Sequence, residues 1–366
     1  MWAFLIVLVL GAVLLQRYSL QHSLDHVGFD TGVSQIIVDP DESFDIVSII
    51  SNGGRMPVFF LRVQEVLPLD ISLAGEGFDL RRDRDTTRMG YSCYLWPRQR
   101  LERRVRASLP RRGRYFLRGA NLAGGDFLGL RENYQKVSLL REIVVMPRPA
   151  ARPDLSETLG GYLGDRSVNR FIMEDPVLTL GFREYTGREP QKSISWPVSA
   201  RSGRLMVKKY DYTIEQTATV LLNIECDADG RQFDAERIEG CYSLARSVCE
   251  ELEERGIQYS FVTNASAAGA VGLWNRIDDG LGQSHLLAIL EGLGRAAYTR
   301  TEPFDATLSR AARRASQGRC HIVITPRDAA CYSHGLMRLR ELSGQEVLTL
   351  YPPEPASAAE NREVEA

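Results

Sequence analysis

The chain has 366 residues and a formal net charge of −2; 44% of its residues are hydrophobic and 25% are charged. This length suits two domains of ordinary size, and the composition is that of a globular protein rather than a disordered one. The nearly balanced charge argues against a general nucleic-acid-binding protein, so we expect no nucleic-acid partner.

An uncharged apolar run begins the chain, at residues 2–15. As a helix it would span only about 21 Å, less than the ~30 Å hydrocarbon core of a bilayer, although extension to Leu20 gives about 28 Å. A cleaved signal peptide fits less well, because no basic segment precedes the run, and a buried core helix would need a polar face. The run therefore predicts a single-pass anchor at 1–20 in the inner (cytoplasmic) membrane. Arg17 favours cytoplasmic soluble domains.

Short β-rich runs separated by turn sequences follow between residues 33 and 146. They read QIIV, SFDIVSIIS, VFFLRVQEV, RRVRASL, YFLR and EIVVM. Many short strands with this punctuation are typical of an antiparallel sandwich, so we predict an antiparallel β-sandwich over residues 28–150. Within it, residues 81–118 hold thirteen arginines and three acidic side chains. These arginines either contact anionic lipid headgroups or an acidic partner, or they form the outward faces of strands. Cys93, Tyr94 and Trp96 are predicted core residues.

The second half of the chain has a different pattern. A segment rich in Pro, Gly and Asp predicts a linker over 151–180. Beyond it, apolar runs at 217–225, 257–263, 320–325 and 346–351 predict buried strands that alternate with helical segments. This alternation is typical of a mostly parallel sheet with right-handed crossovers, so we predict an α/β (Rossmann-like) domain within 181–351. The polar tail, 352–366, is predicted to be disordered.

Residues 181–211 mix charged, aromatic and turn-forming side chains, which favours an ordered loop over a core strand. The segment reads GFREYTGREPQKSISWPVSARSGRLMVKKYD. It resembles the signature of the domain of unknown function 58 family, R-E-Y-x-x-G-D-x-x-R-x-I-x-W-x-x-S-A-R-x-G-x-L-x-V-K. The matching positions are Arg183, Glu184, Tyr185, Ile194, Trp196, Ser199, Ala200, Arg201, Gly203, Leu205, Val207 and Lys208. The segment departs from the pattern at residues 187–189 and at Ser195.

The resemblance implies a partner and leaves two roles open for the signature. Proteins of this family are typically encoded beside MoxR-type AAA+ ATPases, so a chaperone-like or assembly role with such an ATPase is expected. In one interpretation Arg183, Glu184 and Arg201 form an internal network that locks the loop onto its domain, with Trp196 as a plug. In the other, these residues, together with Tyr185 and Lys208, form the partner surface.

The resemblance also implies that the C-terminal part is a von Willebrand factor A-like domain. In such domains a first strand ending in D-x-S-x-S, and Thr and Asp from later loops, hold a divalent ion. The corresponding candidates for a Mg²⁺ or Ca²⁺ site are Glu225, Asp227, Asp229, Ser284 and Asp328. Without a cation the carboxylates of Glu225, Asp227 and Asp229, which lie within five residues, would repel one another. Either an ion is bound there or these acids point into water. The expected fold class is thus an N-terminal membrane helix, an antiparallel β-sandwich and an α/β von Willebrand A-like domain.

Motifs for common chemistries are absent from the sequence. It contains no G-x-x-x-x-G-K-[S/T], no G-x-S-x-G and no H-E-x-x-H, and its six cysteines include no C-x-x-C pair. His321 lies on a predicted buried strand and is interpreted as a satisfied core histidine. We therefore predict a membrane-anchored interaction or scaffold protein, not an enzyme, with no identified small-molecule substrate. The alternative is a divalent-metal-dependent ligand-binding protein or hydrolase that uses the acidic loop 225–229.

Overall fold

The computed structural model describes residues 11, 16–17, 23–125, 131–164, 175–187, 191–211, 217–227, 234–268 and 274–353. The chain divides into two compact units. The first comprises residues 1–149 with 266–274 and 287–297, and the second comprises 150–265, 275–286 and 298–366. Strand is the more abundant secondary structure, at 43% against 27% helix.

Two β-sheets form the first unit. Its strands are β1 (Val27–Val33), β2 (Ile37–Val38), β3 (Phe44–Asn52), β4 (Val58–Pro68), β5 (Ser72–Ala74), β6 (Asp79–Arg82), β7 (Thr86–Leu95), β8 (Arg100–Ser108), β9 (Gly113–Gly125) and β10 (Glu132–Val145). One sheet has the order β1-β3-β8-β5 and the other the order β2-β10-β9-β4-β7-β6. Neighbouring strands are antiparallel, except that β2 and β10 are parallel.

Alternating side chains build a single core between these two sheets. Strand β3 reads FDIVSIISN and buries every second residue, because successive side chains of a strand point to opposite faces. Ile46 and Ile50 from this strand join Leu61, Met89 and Leu122 of the other sheet in one cluster, and all five are fully buried. The core is therefore made of the inward positions of both sheets.

A bulge interrupts the long β9–β10 ladder at Gly119. The register shifts between Ser138 and Arg141, and Gly119 has a φ of 89°, which L side chains rarely adopt. A Cβ atom at this position would lie 2.1 Å from the backbone oxygen of Val137 and 2.8 Å from the backbone nitrogen of Leu139. Only glycine fits this close approach of two backbones.

The arginine-rich segment follows the same alternation, which corrects one prediction. Tyr94 and Trp96 are 64% and 57% exposed, so their assignment to the core is wrong. On β7 the inward positions are Thr87, Met89, Tyr91 and Leu95, with Cys93 partly buried against the core, and the even-numbered positions between them face outward. The period of two places Tyr94 on the same outward face as Arg88.

The second unit contains a hairpin and a five-stranded sheet with helices. The strands after residue 150 are β11 (Asp175–Glu184), β12 (Met206–Asp211), β13 (Thr217–Leu222), β14 (Gln258–Thr263), β15 (Ala265–Ala267), β16 (Arg276–Gly280), β17 (Ala296–Arg300), β18 (Cys320–Ile324) and β19 (Val347–Leu350). The described helices from residue 150 onward are α1 (Leu155–Gly164), α2 (Trp196–Ser202), α3 (Ala235–Glu254), α4 (Gln283–Arg295), α5 (Phe304–Ala312) and α6 (Ser333–Ser343), and of these α4 belongs only in part to the second unit. The sheet order is β16-β14-β13-β18-β19, parallel apart from the antiparallel β14–β16 pair.

The predicted linker is folded wherever it is described. Residues 155–164 form α1, which buries Leu155, Leu159 and Leu163 and hydrogen-bonds through Tyr162 to the backbone oxygen of His321, at 3.0 Å. Leucines four residues apart lie on one helical face, a signal that the surrounding Gly and Pro residues concealed. Residues 165–174 of the predicted linker lie outside the described residues, as does the predicted tail from residue 354.

The predicted fold class is wrong. In the part of the chain that is described, none of the helices has the length and apolar character to cross a membrane. Most of the predicted anchor, residues 1–20, lies outside that part. The physical weakness of the prediction is the short apolar run, which as a helix covers only about 21 Å of a ~30 Å core.

Candidate functional site

The signature segment folds as a β-hairpin that contains a short helix. Strands β11 and β12 are antiparallel, with Phe182 opposite Lys208, Arg183 opposite Val207 and Glu184 opposite Met206. A 3₁₀ turn at Gln191–Ser193 and helix α2 lie in the connection between the strands. We call residues 181–187 and 191–211 the signature hairpin. The predicted ordered loop is thus a hydrogen-bonded hairpin.

Ser199 holds the short helix to the second strand. Its side chain is buried, and its hydroxyl donates to the Ser195 carbonyl and accepts the Met206 N–H, both at 2.8 Å. The Ser195 N–H donates to the Met206 carbonyl, also at 2.8 Å. Helix α2 ends at Gly203, whose φ of 68° suits glycine and whose N–H donates to the Ser199 carbonyl at 3.0 Å. Two signature positions, Ser199 and Gly203, therefore have a structural role that the sequence reasoning did not assign.

Large apolar side chains of the signature hairpin face solvent. Trp196 is 65% exposed, Leu205 45% and Phe182 44%. Trp196 is the first residue of α2. The helix contacts β12 through Ser199 and not through Trp196. The predicted plug role of Trp196 is therefore wrong. Trp196, Leu205 and Phe182 therefore form exposed apolar surface on the signature hairpin.

The polar signature residues lie on both strands of the hairpin and on its short helix. Glu184 pairs with Arg204, with 2.5 Å between its Oε1 and the Nη1 of the arginine, and both side chains are exposed. Arg201 is exposed in the last turn of α2, and Arg183 and Lys208 are exposed on the two strands. Tyr185 is half-buried, and its N–H donates to the Leu205 carbonyl at 2.8 Å. The signature hairpin thus presents several cationic side chains to solvent.

Glu225, the first predicted metal ligand, is satisfied within the protein. Its carboxylate is buried: Oε1 accepts from the Arg300 guanidinium and from the Phe304 N–H, the latter at 3.1 Å. Its Oε2 accepts from the Tyr332 hydroxyl at 2.9 Å. Phe304 is the first residue of α5, so the helix amino terminus also favours the negative charge. The positive charge beside this carboxylate belongs to Arg300.

The other predicted ligands do not join Glu225 in the described part of the chain. Ser284 is exposed in the first turn of α4, and Asp328 is exposed and accepts the Ala330 N–H at 3.0 Å. Asp227 is half-buried, and Asp229 lies outside the described residues. Within the described ranges no group of three His, Cys, Asp or Glu side chains could hold a metal ion. The role of Glu225 as a ligand is therefore corrected to that of an ion-pair and hydrogen-bond acceptor.

A buried amide network at the carboxyl ends of three strands escaped the sequence reasoning. Asn264 donates from its side-chain nitrogen to Oδ1 of Asn223 at 2.9 Å, and both residues are fully buried. Asn223 in turn donates to the hydroxyls of Thr325, at 3.1 Å, and Tyr332, at 3.0 Å. Each of these residues except Tyr332 directly follows an apolar strand, as in LLN, VTN and VIT, and that was the available signal. The network fixes the loops around Glu225.

His321 is buried on β18, as predicted, but its ring is not fully satisfied. It is 1% exposed, and its Nδ1 has no hydrogen-bond partner among the described residues. Burial, with a smaller contribution from the neighbouring Arg319 guanidinium, lowers its pKa from 6.5 to about 4. The ring is therefore neutral at pH 7.

We expect this histidine to make the second unit less stable in mild acid. Because its pKa is about 4 when folded and 6.5 when exposed, the unfolded chain binds the extra proton between these values. The free energy of unfolding therefore stays at its full value above about pH 6.5 and falls as the pH is lowered from there towards 4. Between pH 7 and pH 5 the expected decrease is about 2 kcal/mol. Urea unfolding followed by circular dichroism at 222 nm measures it at both pH values. His321→Gln should shrink the difference between the two pH values, whatever its own stability, and an unchanged difference would contradict the assignment.

Comparison with known proteins gives only distant structural likenesses. No family model and no curated protein matches this chain. Among solved structures, it is similar to a CARDB domain from Pyrococcus furiosus solved with di-metal ions, at 12% identity and a TM-score of 0.21 over 33% of this chain and 94% of that one. It is also similar to a cohesin module from a Clostridium perfringens family 33 glycoside hydrolase, at 11% identity and a TM-score of 0.23 over 32% of this chain and 96% of the module.

A third likeness is to a non-cellulosomal cohesin from Archaeoglobus fulgidus, at 13% identity and a TM-score of 0.24 over 32% of this chain and 90% of that one. The prediction of a von Willebrand A-like domain is corrected together with the fold class, because its expected ion ligands do not come together within the described residues. Scores this low carry no information about ligands or partners.

Proposed function

We propose that this protein is a non-enzymatic interaction protein whose signature hairpin binds a MoxR-type AAA+ ATPase in a chaperone-like or assembly role. The observation that carries the proposal is the exposure of Trp196, at 65%, on a hairpin whose short helix is hydrogen-bonded to its second strand through Ser199. The choice of partner rests on the resemblance of residues 181–211 to the domain of unknown function 58 signature.

The rigidity of the hairpin supports a docking role. The Ser199 hydroxyl and the Gly203 cap fix the helix that begins at Trp196, so little conformational freedom is lost when a partner binds. Tryptophan and arginine are the residue types that most often dominate binding energy at protein interfaces. Both occur here at exposed positions, Trp196 and Arg201 among them.

The charges of the hairpin favour an acidic partner surface. Arg201 and Lys208 are exposed, and the acidic Glu184 is paired with Arg204. Cations at the rim of an interface speed association and lose this effect as salt rises. We therefore expect the partner to present acidic side chains to this hairpin.

Alanine in place of Trp196 is expected to weaken capture of the ATPase by roughly 30-fold, the effect of losing a binding hot spot of about 2 kcal/mol. The measurement uses the immobilised full chain and a purified MoxR-type AAA+ ATPase from the same organism, with surface plasmon resonance in the presence of ATP. Because Trp196 is mostly exposed, the variant should remain folded.

Trp96→Ala provides the matched control, since Trp96 is also an exposed tryptophan, at 57%, but lies in the first unit. It should bind the ATPase as the wild type does. Equal binding by wild type and Trp196→Ala would contradict the hairpin as the contact, and no binding by the wild type in any nucleotide state would contradict the partner itself.

A further inference from the structure

A cavity lies on one face of the five-stranded sheet in the second unit. Helix α5 covers part of this face, where Leu308 packs with Leu221, Val262 and Val323 in one buried cluster. Two residues earlier on the same three strands are Thr219, Ser260 and His321, which point to the same side of the sheet. These three residues line a cavity of about 390 Å³. The cavity therefore begins where the apolar cluster under the helix ends.

The floor of the cavity is a fixed group of buried hydroxyls and one arginine. The hydroxyl oxygens of Thr219 and Ser260 are 3.1 Å apart, and both side chains are more than nine-tenths buried. Arg319 donates to the Thr219 hydroxyl at 2.6 Å and to the Ser260 hydroxyl at 3.1 Å. Its guanidinium also pairs with Asp279. Side chains held by this many contacts are preorganised for a ligand.

His321 adds a neutral polar group to the same wall. The residue is part of the cavity lining and is 1% exposed, and its Nδ1 has no hydrogen-bond partner among the described residues. Its backbone is fixed on both sides, because the N–H donates to the Tyr162 hydroxyl and the carbonyl accepts from it. Leaving a buried polar atom without a hydrogen-bond partner is unfavourable. Such an atom is often found where a ligand or a water molecule completes the site.

The remaining lining is strongly cationic. The charged side chains around the cavity are four arginines and two aspartates, Arg276, Arg310, Arg314, Arg319, Asp278 and Asp279. Their formal charges, four positive and two negative, sum to +2, and the Glu302 carboxylate that pairs with Arg310 reduces the local excess to +1. Asp278 pairs with Arg276, and Arg310 pairs with Glu302. Arg314 is exposed and forms no ion pair with any side chain that the structure describes.

We propose that this cavity binds a small ligand through a phosphate dianion, either free phosphate or a phosphate monoester. Guanidinium groups match the oxygens of a phosphate in a two-pronged geometry, and the positive charge of the lining complements an anion. Hydroxyls from Thr219 and Ser260 and the ring of His321 supply neutral hydrogen-bonding groups. A volume of about 390 Å³ lies within the range of small-molecule sites. This site is separate from the signature hairpin, and the proposal does not depend on the partner of that hairpin.

Histidine NMR on the full chain tests the proposal directly. The ¹⁵N-histidine-labelled protein is titrated at constant ionic strength with inorganic phosphate, with glucose 6-phosphate and with unphosphorylated glucose, at a pH of about 7.5 where the phosphate is mainly a dianion. The ring signals of His321, identified by their loss in His321→Gln, should shift saturably with the two phosphates and stay fixed with glucose. Tighter binding of glucose 6-phosphate would assign the site to phosphate monoesters, and tighter binding of inorganic phosphate would assign it to the free ion.

Two neighbouring arginines provide a matched pair of variants. Arg314→Gln removes a guanidinium from the lining and should raise the dissociation constant for phosphate at least ten-fold, as expected for the loss of a charge-assisted contact. Arg313→Gln makes the same change one residue earlier, at an exposed position outside the lining, and should leave the constant unchanged. The absence of a saturable His321 shift with either phosphate up to about 50 mM would overturn the proposal, and so would equal losses in the two variants.

Discussion

Replacing Glu225 by alanine is expected to lower the free energy of unfolding of the second unit by about 3 kcal/mol or more, because breaking a buried ion pair leaves its partner uncompensated. The carboxylate accepts from Arg300, from the amino terminus of α5 and from the Tyr332 hydroxyl, so its removal leaves three donors without an acceptor. For a unit of this size the loss corresponds to a decrease of roughly 6–12 °C in Tm. Thermal unfolding followed at 222 nm measures it.

Glu184→Ala is the matched control for this experiment. Glu184 also forms an ion pair with an arginine, Arg204, but both side chains are exposed, so its removal should leave the Tm nearly unchanged. Similar effects of the two substitutions would contradict the buried role of Glu225. A rise in the Tm of the wild-type protein with millimolar Mg²⁺ or Ca²⁺, lost in Glu225→Ala, would return this residue to a metal site.

Alanine at Gly119 should destabilise the first unit by a similar amount, about 3 kcal/mol or more, through strain at a special backbone position. Its φ of 89° already disfavours any side chain, and the new methyl group would overlap the Val137 carbonyl of the paired strand. Neither backbone can move without disturbing the β9–β10 ladder. Hydrogen exchange measured by mass spectrometry should show amides of β9 and β10 exchanging roughly 100-fold faster, the equivalent of that energy.

Gly32→Ala makes the same chemical change in strand β1 of the same unit. A Cβ atom there would meet nothing within 4 Å, and the backbone does not have a left-handed conformation. Its effect should stay within about 1 kcal/mol, since alanine also reduces the freedom of the unfolded chain. If Gly119→Ala exchanged no faster than Gly32→Ala, the bulge would not require glycine.

Local periodicity predicted many strands but not the way they are combined. Alternating runs such as SFDIVSIIS correspond to β3, and the continuous run at 217–225 contains β13. Strand β1 reads VGFDTGV, in which two glycines and an aspartate hide the alternation, and it was not predicted. The leucines of α1 were likewise hidden in a segment with the composition of a linker. Composition describes an average, whereas burial depends on which face each side chain occupies.

The candidate sites depended on contacts between residues far apart in the chain. The sequence indicated Glu225 as an acidic ligand, but Arg300, 75 positions later, determines its role. The sequence indicated that His321 is a core residue. It did not indicate the arginines that line the cavity beside it, which come from β16, from α5 and the residues that follow it, and from the position before β18. Neither partnership leaves a local pattern, because each arises only when the strands of the sheet come into register. For Trp196, the resemblance to a family signature indicated that the residue matters, but it did not predict that the side chain is exposed.

Strand β16 has a consequence for how this protein can associate. Among the described strands it lies at one end of the five-stranded sheet, and it carries Arg276, Asp278 and Asp279 within five residues. At the other end lies β19, which is only four residues long. Charged or very short outer strands resist main-chain pairing with a further strand. These two margins should therefore protect the second unit from strand-by-strand aggregation and direct its partners towards recognition by side chains.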